Sequence, residues 1–289
     1  MTVTELIEAT VAIPPVARVR RDQSRLLRLA RAVGALAISL AVVLGTWQLF
    51  LVAFHIDHFV GKTPLDVWRF LTADSTAAAP QSLPTRGNLY PASLTTLKDA
   101  FVGLAAGTIA ALACAIVFNL RRSVEQTVMP IAMVLRSVPL VAMTPLITLV
   151  FGRGLMGVTV IAGIVTFFPT LVNVTLALRA TPQASIDLFR AYGAGPVKTL
   201  RKVQLPNALP AIFASLRIAA PLALIGALLA EWLATGHGLG YLMLQSSSLS
   251  NYNMLWSTAA LVTAYSMILY ASISAIEKLV LARFGDSPA

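Results

Sequence analysis

The stretch LMGVTVIAGIVTFFPTLVNVTLAL (residues 155–178) is followed by RATPQASIDLFRAYGAGPVKTLRKVQLPN (179–207) and then by ALPAIFASLRIAAPLALIGALLAEWLA (208–234). Each apolar block is long enough to cross a bilayer as a helix, which takes about 20 residues, and the polar block between them carries its own helical signals. Two transmembrane helices joined by a structured loop are the natural reading. Working outward, four more apolar runs can be drawn, at 33–54, 100–119, 128–150 and 254–276. The 289-residue chain is 57% hydrophobic and 12% charged, with mean hydropathy +0.78. Charged residues make up about a quarter of an ordinary soluble domain, so that class is excluded. An all-α polytopic membrane protein with six transmembrane helices is expected.

Charge placement orients it. The chain has 22 Lys and Arg against 12 Asp and Glu, a net +10. In a soluble protein this would suggest nucleic acid as a partner; here loop orientation accounts for it, and no nucleic-acid partner is expected. Putting the N-terminal tail with Arg18, Arg20, Arg21, Arg25, Arg28 and Arg31 in the cytoplasm places fifteen of the 22 cations inside and five outside. Arg136 and Arg217 then fall within spans, and both termini are cytoplasmic under the positive-inside rule. The expected divisions are a basic tail over 1–32, an uncleaved first span over 33–54, an outer loop over 55–94, a core over 95–278 and a cytoplasmic tail over 279–289. Cys114, the one cysteine, has no intrachain partner for a disulfide.

Two loops carry structure. In the outer one, Thr63-Pro64-Leu65-Asp66 reads as an N-cap, a first-turn proline and a first-turn acid. Leu65, Trp68, Phe70 and Leu71 make the short helix apolar, while the Ala-, Pro-, Ser- and Gly-rich stretch 77–88 reads as a loop. In the inner segment, 181–206, Thr181-Pro182 starts a helix of about eleven residues that Gly193 ends. Ala184, Leu188, Ala191 and Tyr192 share one face of it. Pro196 starts a second short helix expected to run to Leu205-Pro206, with Val197, Leu200 and Val203 on one face. Helices this short are marginal alone, so their apolar faces need a surface to pack on.

The spacing Asp187-Leu188-Phe189-Arg190-Ala191-Tyr192-Gly193, nine residues, then Val203-Gln204-Leu205-Pro206, resembles the cytoplasmic signature of binding-protein-dependent ABC importer permeases. The Gly, Val, Leu and Pro fit, whereas Asp187, Leu188 and Phe189 stand where the family has Glu-Ala-Ala. Leu135 to Pro139, Thr144-Pro145-Leu146, Phe151 to Gly154, Phe167-Phe168-Pro169, Leu216 to Ala219, Ala230-Glu231-Trp232 and Gly238 to Tyr241 look like the nitrate, sulfonate and taurine branch, which also includes pyrimidine-precursor permeases. The resemblance implies a type I ABC importer-like permease fold in the cell membrane, with a coupling helix that docks on a separate ATPase. It further implies two ATPase copies holding ATP and magnesium, a second permease copy and an extracytoplasmic binding protein. On this reading the chain is a transporter subunit working by alternating access, without a cofactor or metal of its own and not itself an enzyme.

Pathway candidates follow from charge and proline. Pro139, Pro145, Pro169, Pro210 and Pro221 interrupt spans three to five, and freed carbonyls are tolerated where protein or a water-filled cavity satisfies them. Charged residues within spans are functional candidates. Arg136, about 12 Å deep at 1.5 Å per residue, reads either as the anchor of an anionic substrate or as a scaffold for carbonyls freed by Pro139. Arg217 reads as structural or gating. Glu231, near the outer end of the fifth span, reads as a gate or partner contact, or as reaching interfacial water. Ser137, Thr144, Phe167 and Phe168 complete the pathway candidates. A small anion of the sulfonate, taurine or nitrate type is the first substrate reading and an aromatic vitamin precursor the alternative, with Phe167, Phe168, Trp232, Tyr241 and Tyr252 available to meet a flat ring.

Other patterns carry less. Gly61-Lys62-Thr63 lacks the first glycine of a phosphate-binding loop, since Ile56 stands there. His55 and His58 lack the further ligands of a metal site. Gly103 and Gly107 permit close helix packing, a common feature of membrane helices. An ion-coupled secondary transporter would call for more intramembrane acids in repeated elements, and an intramembrane enzyme for a clustered nucleophile, base or metal set.

Overall fold

The computed structural model describes residues 23–72 and 84–283, and every regular element among them is helical. The basic tail up to Asp22, the outer stretch 73–83 and the last six residues lie outside that description, and with them Arg18, Arg20, Arg21 and part of the expected 77–88 loop. Contacts divide the chain at Ile56 into two units. The first contributes one long helix, α1 (Gln23–Ala53), apolar over Ala37–Ala53.

The second unit is a helical bundle. It comprises α2 (Pro64–Thr72), α3 (Leu89–Leu120), α4 (Arg122–Ser137), α5 (Leu140–Phe151), α6 (Leu155–Arg179), α7 (Gln183–Ala191), α8 (Pro196–Thr199), α9 (Leu205–Ala230), α10 (Gly238–Ser248) and α11 (Tyr252–Leu281). Among the described residues four helical stretches are long and apolar enough to cross a membrane: Arg86–Leu120, Leu155–Arg179, Pro196–Thr235 and Tyr252–Leu281.

Small residues let the central helices approach. A Cβ on Gly103 would overlap Ala162 of α6, and one on Gly107 would overlap Thr166 and the Gly163 carbonyl. The Gly103/Gly107 pair therefore forms the α3–α6 seam, as small-residue spacing does between membrane helices. Gly226 of α9 meets Ala162 from the other side. Around this seam lie two apolar clusters. One holds Ala100, Val158, Ile161 and Leu224; the other holds Ala115, Phe118, Leu178, Leu200 and Ala208 and marks the lower end. A third cluster, Leu89, Leu239, Leu242 and Met254, marks the upper end.

Two expectations about helix limits are corrected. The third apolar run is not one helix: α4 stops at Ser137, and Pro139 stands as the N-cap of α5 with φ −60° and ψ 116°. Proline disfavours helical geometry at the residue before it and offers no N–H, so Val138 leaves the helix. The segment is consequently an amphipathic helix followed by an apolar one of 12 residues. The second inner helix, conversely, does not stop at Leu205-Pro206. The chain runs helically from Pro196 to Thr235, because Leu200–Gln204 adopts a π turn in which the Leu205 N–H donates to the Leu200 carbonyl. The extra residue in that turn relieves the clash a proline ring makes with the carbonyl four residues back.

The upper connections match their local chemistry. Thr63 and Asp66 form a reciprocal cap: the Asp66 N–H donates to Thr63 Oγ1 (3.2 Å) and the Thr63 N–H to Asp66 Oδ2 (2.9 Å). Thr63 Oγ1 also donates to that carboxylate, and this bond chiefly holds the Asp66 carboxyl below its ordinary range. Phe70 and Leu71 pack on the upper cluster, while Leu65 and Trp68 stay exposed. The Trp256 indole N–H donates to the Val60 carbonyl (2.8 Å). Asn251 caps α11 by accepting from the Met254 N–H.

Candidate functional site

The lower end is built around α7. No residue of this helix is buried; Ala184, Asp187, Leu188, Ala191 and Tyr192 are exposed, and only Ser185, Ile186 and Phe189 are half-buried. Leu188 is 56% exposed and Tyr192 83%, so an apolar face projects without cover from this chain. Asp187 is occupied on the helix surface, accepting from Gln183 Nε2 (3.0 Å) and pairing with Arg190 at 3.6 Å. The helix ends in a Schellman motif: the Gly193 N–H donates to the Arg190 carbonyl (2.9 Å) and the Ala194 N–H to the Phe189 carbonyl (3.0 Å). Gly193 has φ +71° and no atom within 4 Å of where a Cβ would stand. Backbone conformation, not space, requires glycine there.

Both ends of this segment are tied to the bundle. Arg179, at the end of α6, forms an ion pair with Glu125 of α4. Gln204 accepts from Asn119 of α3 (2.8 Å) and donates to the Leu178 carbonyl (3.3 Å), and Asn207 Nδ2 donates to Thr181 Oγ1 (3.4 Å). Val203, Leu205 and Pro206 are half-buried on this anchor. Next to α7, Gly195, Pro196, Val197, Lys198, Arg201 and Lys202 line an open concavity of about 780 Å³.

The pathway candidates are not gathered into one site. Phe167 and Phe168 stack edge to face at 5.2 Å and line an open apolar cavity of about 450 Å³ with Gly107, Met143, Thr159 and Gly163. Arg136 is exposed on the last turn of α4, outside that lining, and among the described residues has no ion-pair partner. Ser137 Oγ donates to the Val134 carbonyl (2.6 Å), and Pro139 is exposed at the α4–α5 break. Thr144 is fully buried and donates to the Leu140 carbonyl. Arg217 does have a partner: it pairs with Glu277 of α11.

Glu231 is 0% exposed, so it does not reach interfacial water within this chain. Its Oε2 accepts from the Gly240 N–H (2.8 Å) and from Thr96 Oγ1 of α3 (2.9 Å). Thr96 Oγ1 in turn accepts from the Leu239 N–H (2.8 Å). Asp99, one turn along α3 from Thr96, is also buried.

Reading the sequence missed Glu125, Asn119, Gln204, Thr96, Asp99 and Glu277. Asp99 and Glu277 each stand one position outside an apolar run as drawn, and no local pattern pairs residues so far apart in the chain. The closest available signal was the joint occurrence of Glu231 with Gly238 and Gly240.

Comparison with known proteins places these features in context. Residues 103–286 match the family model described as binding-protein-dependent transport system inner membrane component. A probable ABC transporter permease protein of Haemophilus influenzae is 30% identical over 80% of this chain and 90% of its own. A riboflavin transport system permease protein of Chloroflexus aurantiacus is 30% identical over 92% and 96%. A formylaminopyrimidine transport permease protein of Halalkalibacterium halodurans is 27% identical over 64% and 74%. In fold, the chain is similar to one of the inward-facing methionine ABC transporter MetNI, with TM-score 0.58 and 24% identity over 65% of this chain and 93% of that one.

Proposed function

This chain belongs to the family of binding-protein-dependent transport system inner membrane components, and from that premise we propose how it couples to its partners and what it carries. It is the permease subunit of an ABC importer, a membrane component that does not itself hydrolyse ATP. In the proposed assembly two copies of the permease enclose the pathway, two ATPase subunits sit at the lower, cytoplasmic end, and a substrate-binding protein delivers to the upper end. Both termini are cytoplasmic, consistent with the placement of Arg121, Arg122, Arg179, Lys198, Arg201 and Lys202 on segments that meet at the lower end.

The observation that carries the coupling role is the unburied α7, presenting Leu188 and Tyr192 from a segment anchored at both ends. An amphipathic helix laid in a groove buries such anchors, and the lashings at Arg179 and Gln204 pass its movement to α4, α6 and α9. ATP-driven closure of the ATPases pulls on α7 and opens the pathway outward; hydrolysis returns it. Affinity purification of the chain from its native membranes in mild detergent tests this. The intact chain brings down an ATPase in equal amounts, and Gly193→Pro, which can neither adopt φ +71° nor donate to Arg190, loses it. Retention of the ATPase by Gly193→Pro and by Leu188→Glu alike would overturn the assignment of α7.

For the cargo we favour a flat nitrogen heterocycle, of the vitamin or vitamin-precursor class. The cavity beside Phe167 and Phe168 is apolar, and Arg217 is engaged by Glu277. The names of two relatives, for riboflavin and formylaminopyrimidine, point the same way, and those of others, for aliphatic sulfonates, bicarbonate and nitrate, point to the anion. A small anion remains the second reading, favoured by the exposed Arg136. Uptake into vesicles with the complete complex separates them. A heterocycle is expected to compete and to depend on Phe167 and Phe168, whereas loss of sulfonate or nitrate uptake in Arg136→Ala would favour the anion.

A further inference from the structure

The turn that follows α9 is unusual at every step. Glu231–Thr235 is a second π turn, Gly236 has φ +74°, and Gly238 has φ +88°. π turns are rare and gather at functional positions. The chain then enters α10, whose N-cap, His237, makes no side-chain hydrogen bond to the helix. The first N–H groups of a helix need acceptors from somewhere. Here they come from two other helices: the Leu239 N–H donates to Thr96 of α3 and the Gly240 N–H to Glu231 at the end of α9. The Thr96 hydroxyl closes the ring by donating to the same Glu231 oxygen at 2.9 Å, with the Ala92 carbonyl, at 3.1 Å, its alternative acceptor.

Packing leaves this joint little freedom. A Cβ on Gly238 would overlap the Glu231 carboxylate, and one on Gly240 would stand 2.9 Å from Glu231 Cβ. The α10 helix has 11 residues, marginal for independent stability; Leu239 and Leu242 seat it on the upper cluster, and the bonds at its start tie its first turn to α3 and to the end of α9. The other side of the joint is a single helix of 40 residues, Pro196–Thr235, about 60 Å long at 1.5 Å per residue. Its lower end begins three residues after Gly193, beside α7.

We propose that Glu231, acting through Thr96 and the first amides of α10, is the positioning residue that makes the upper ends of α3, α9 and α10 move as one body, so that displacement of α7 by the ATPases reaches the outer mouth of the pathway. The proposal rests on the importer reading above. It assigns Glu231 neither substrate contact nor a place in the cavity lining; its carboxylate is a mechanical link, and the glycines at 238 and 240 are what allow that link to close.

The test uses the complete complex, with ATPase and loaded binding protein, in lipid vesicles, reading uptake, basal ATP hydrolysis and the hydrolysis stimulated by binding protein. Substitutions at coupling positions change communication by roughly 2- to 30-fold. Glu231→Ala is expected to keep basal hydrolysis within about twofold while uptake per ATP falls about tenfold. Glu231→Gln retains an acceptor for the Gly240 N–H and restores uptake per ATP to within about threefold of the parent. Thr96→Val lowers the same ratio, and Thr96→Val with Glu231→Ala is no worse than Glu231→Ala alone, because both act on one ring. Parallel loss of uptake and basal hydrolysis, unchanged uptake per ATP, or a Gln variant no better than Ala would overturn the proposal. If Glu231→Ala does not assemble, Thr96→Val, close in volume, decides by the same ratio. A parent chain that neither binds an ATPase nor responds to binding protein would instead refute the importer reading.

Discussion

At the lower end Arg179, Glu125, Asn119, Gln204 and Asn207 fasten the two ends of a segment whose middle, α7, buries no residue. At the upper end Thr96, Glu231 and the amides of Leu239 and Gly240 bond to one another inside the protein. Polar groups hold the backbone in both places, but below they support a surface that this chain leaves uncovered, and above they satisfy a helix that it covers itself. Among the described residues one atom of this buried ring, Glu231 Oε1, has no hydrogen-bond partner, and each further unmet partner would cost about 1–3 kcal/mol. An exposed helix tolerates change in its own fold and shows that change in association.

Two left-handed glycines put the contrast to its sharpest test. Gly238→Ala places a methyl group into the Glu231 carboxylate as well as imposing a strained φ. It is expected to cost about 3 kcal/mol or more, from strain together with a broken buried ring. Gly193→Ala meets no atom within 4 Å and should cost only the left-handed conformation, about 1–2 kcal/mol. Thermal unfolding of the two purified variants in the same detergent provides the comparison. Equal losses would mean that the upper joint is no tighter than the lower turn.

The Arg217–Glu277 pair lies between these extremes, part-buried between α9 and α11 with side chains 28% and 12% exposed. Arg217→Ala leaves a largely buried carboxylate unpaired and is expected to destabilise by about 2 kcal/mol. The exchange of charges, Arg217→Glu with Glu277→Arg, should recover at least about half of that. Recovery, read again from thermal unfolding, would identify an ordinary helix tie; failure of the exchange to recover would mean that Arg217 serves some further contact.

Local chemistry was legible in the sequence wherever partners lie within a turn or two. The Thr63-Pro64-Asp66 cap and the Gly193 reversal follow from side chains three residues apart or from one backbone angle, and both stand as expected. The α3–α6 seam was legible as a possibility in Gly103 and Gly107, although nothing local said that Ala162 and Thr166 would meet it. Proline was the ambiguous sign. Pro130, Pro145, Pro169, Pro210 and Pro221 all lie inside helices, whereas Pro139 ends one. Neighbouring helices can satisfy the carbonyls a proline frees, so its effect is decided by tertiary packing. Pro206 illustrates this, because an extra residue in the turn before it lets the helix continue. The Glu231 ring was illegible for a simpler reason: its threonine lies 135 residues away.

The smallest expected effect comes from the Thr63–Asp66 cap, which closes the first turn of α2 on itself and so extends the internal satisfaction of the upper end to its periphery. The Asp66 carboxyl is held below its ordinary value first by the Thr63 hydroxyl, against the opposing cost of burial. A carboxyl whose folded value is depressed stabilises the fold above its unfolded value, near pH 4, and loses that contribution as pH falls through the folded value. In a His58→Gln background, which removes the imidazole 3.2 Å from Asp66 Oδ2, hydrogen exchange at the amides of 65–69 should therefore be unchanged between about pH 7 and 5 after correction for intrinsic rates. Protection should weaken below about pH 4. Asp66→Asn should show the weakened state at every pH, with a loss of about 1 kcal/mol, as for other helix caps. Because α2 packs on the upper cluster through Phe70 and Leu71 rather than through Asp66, the amides of α10 should not respond. A pH-dependent loss that spread from α2 into α10 would mean that the cap and the Glu231 ring form a single cooperative unit, and the upper end would then be more tightly coupled than the contrast with α7 requires.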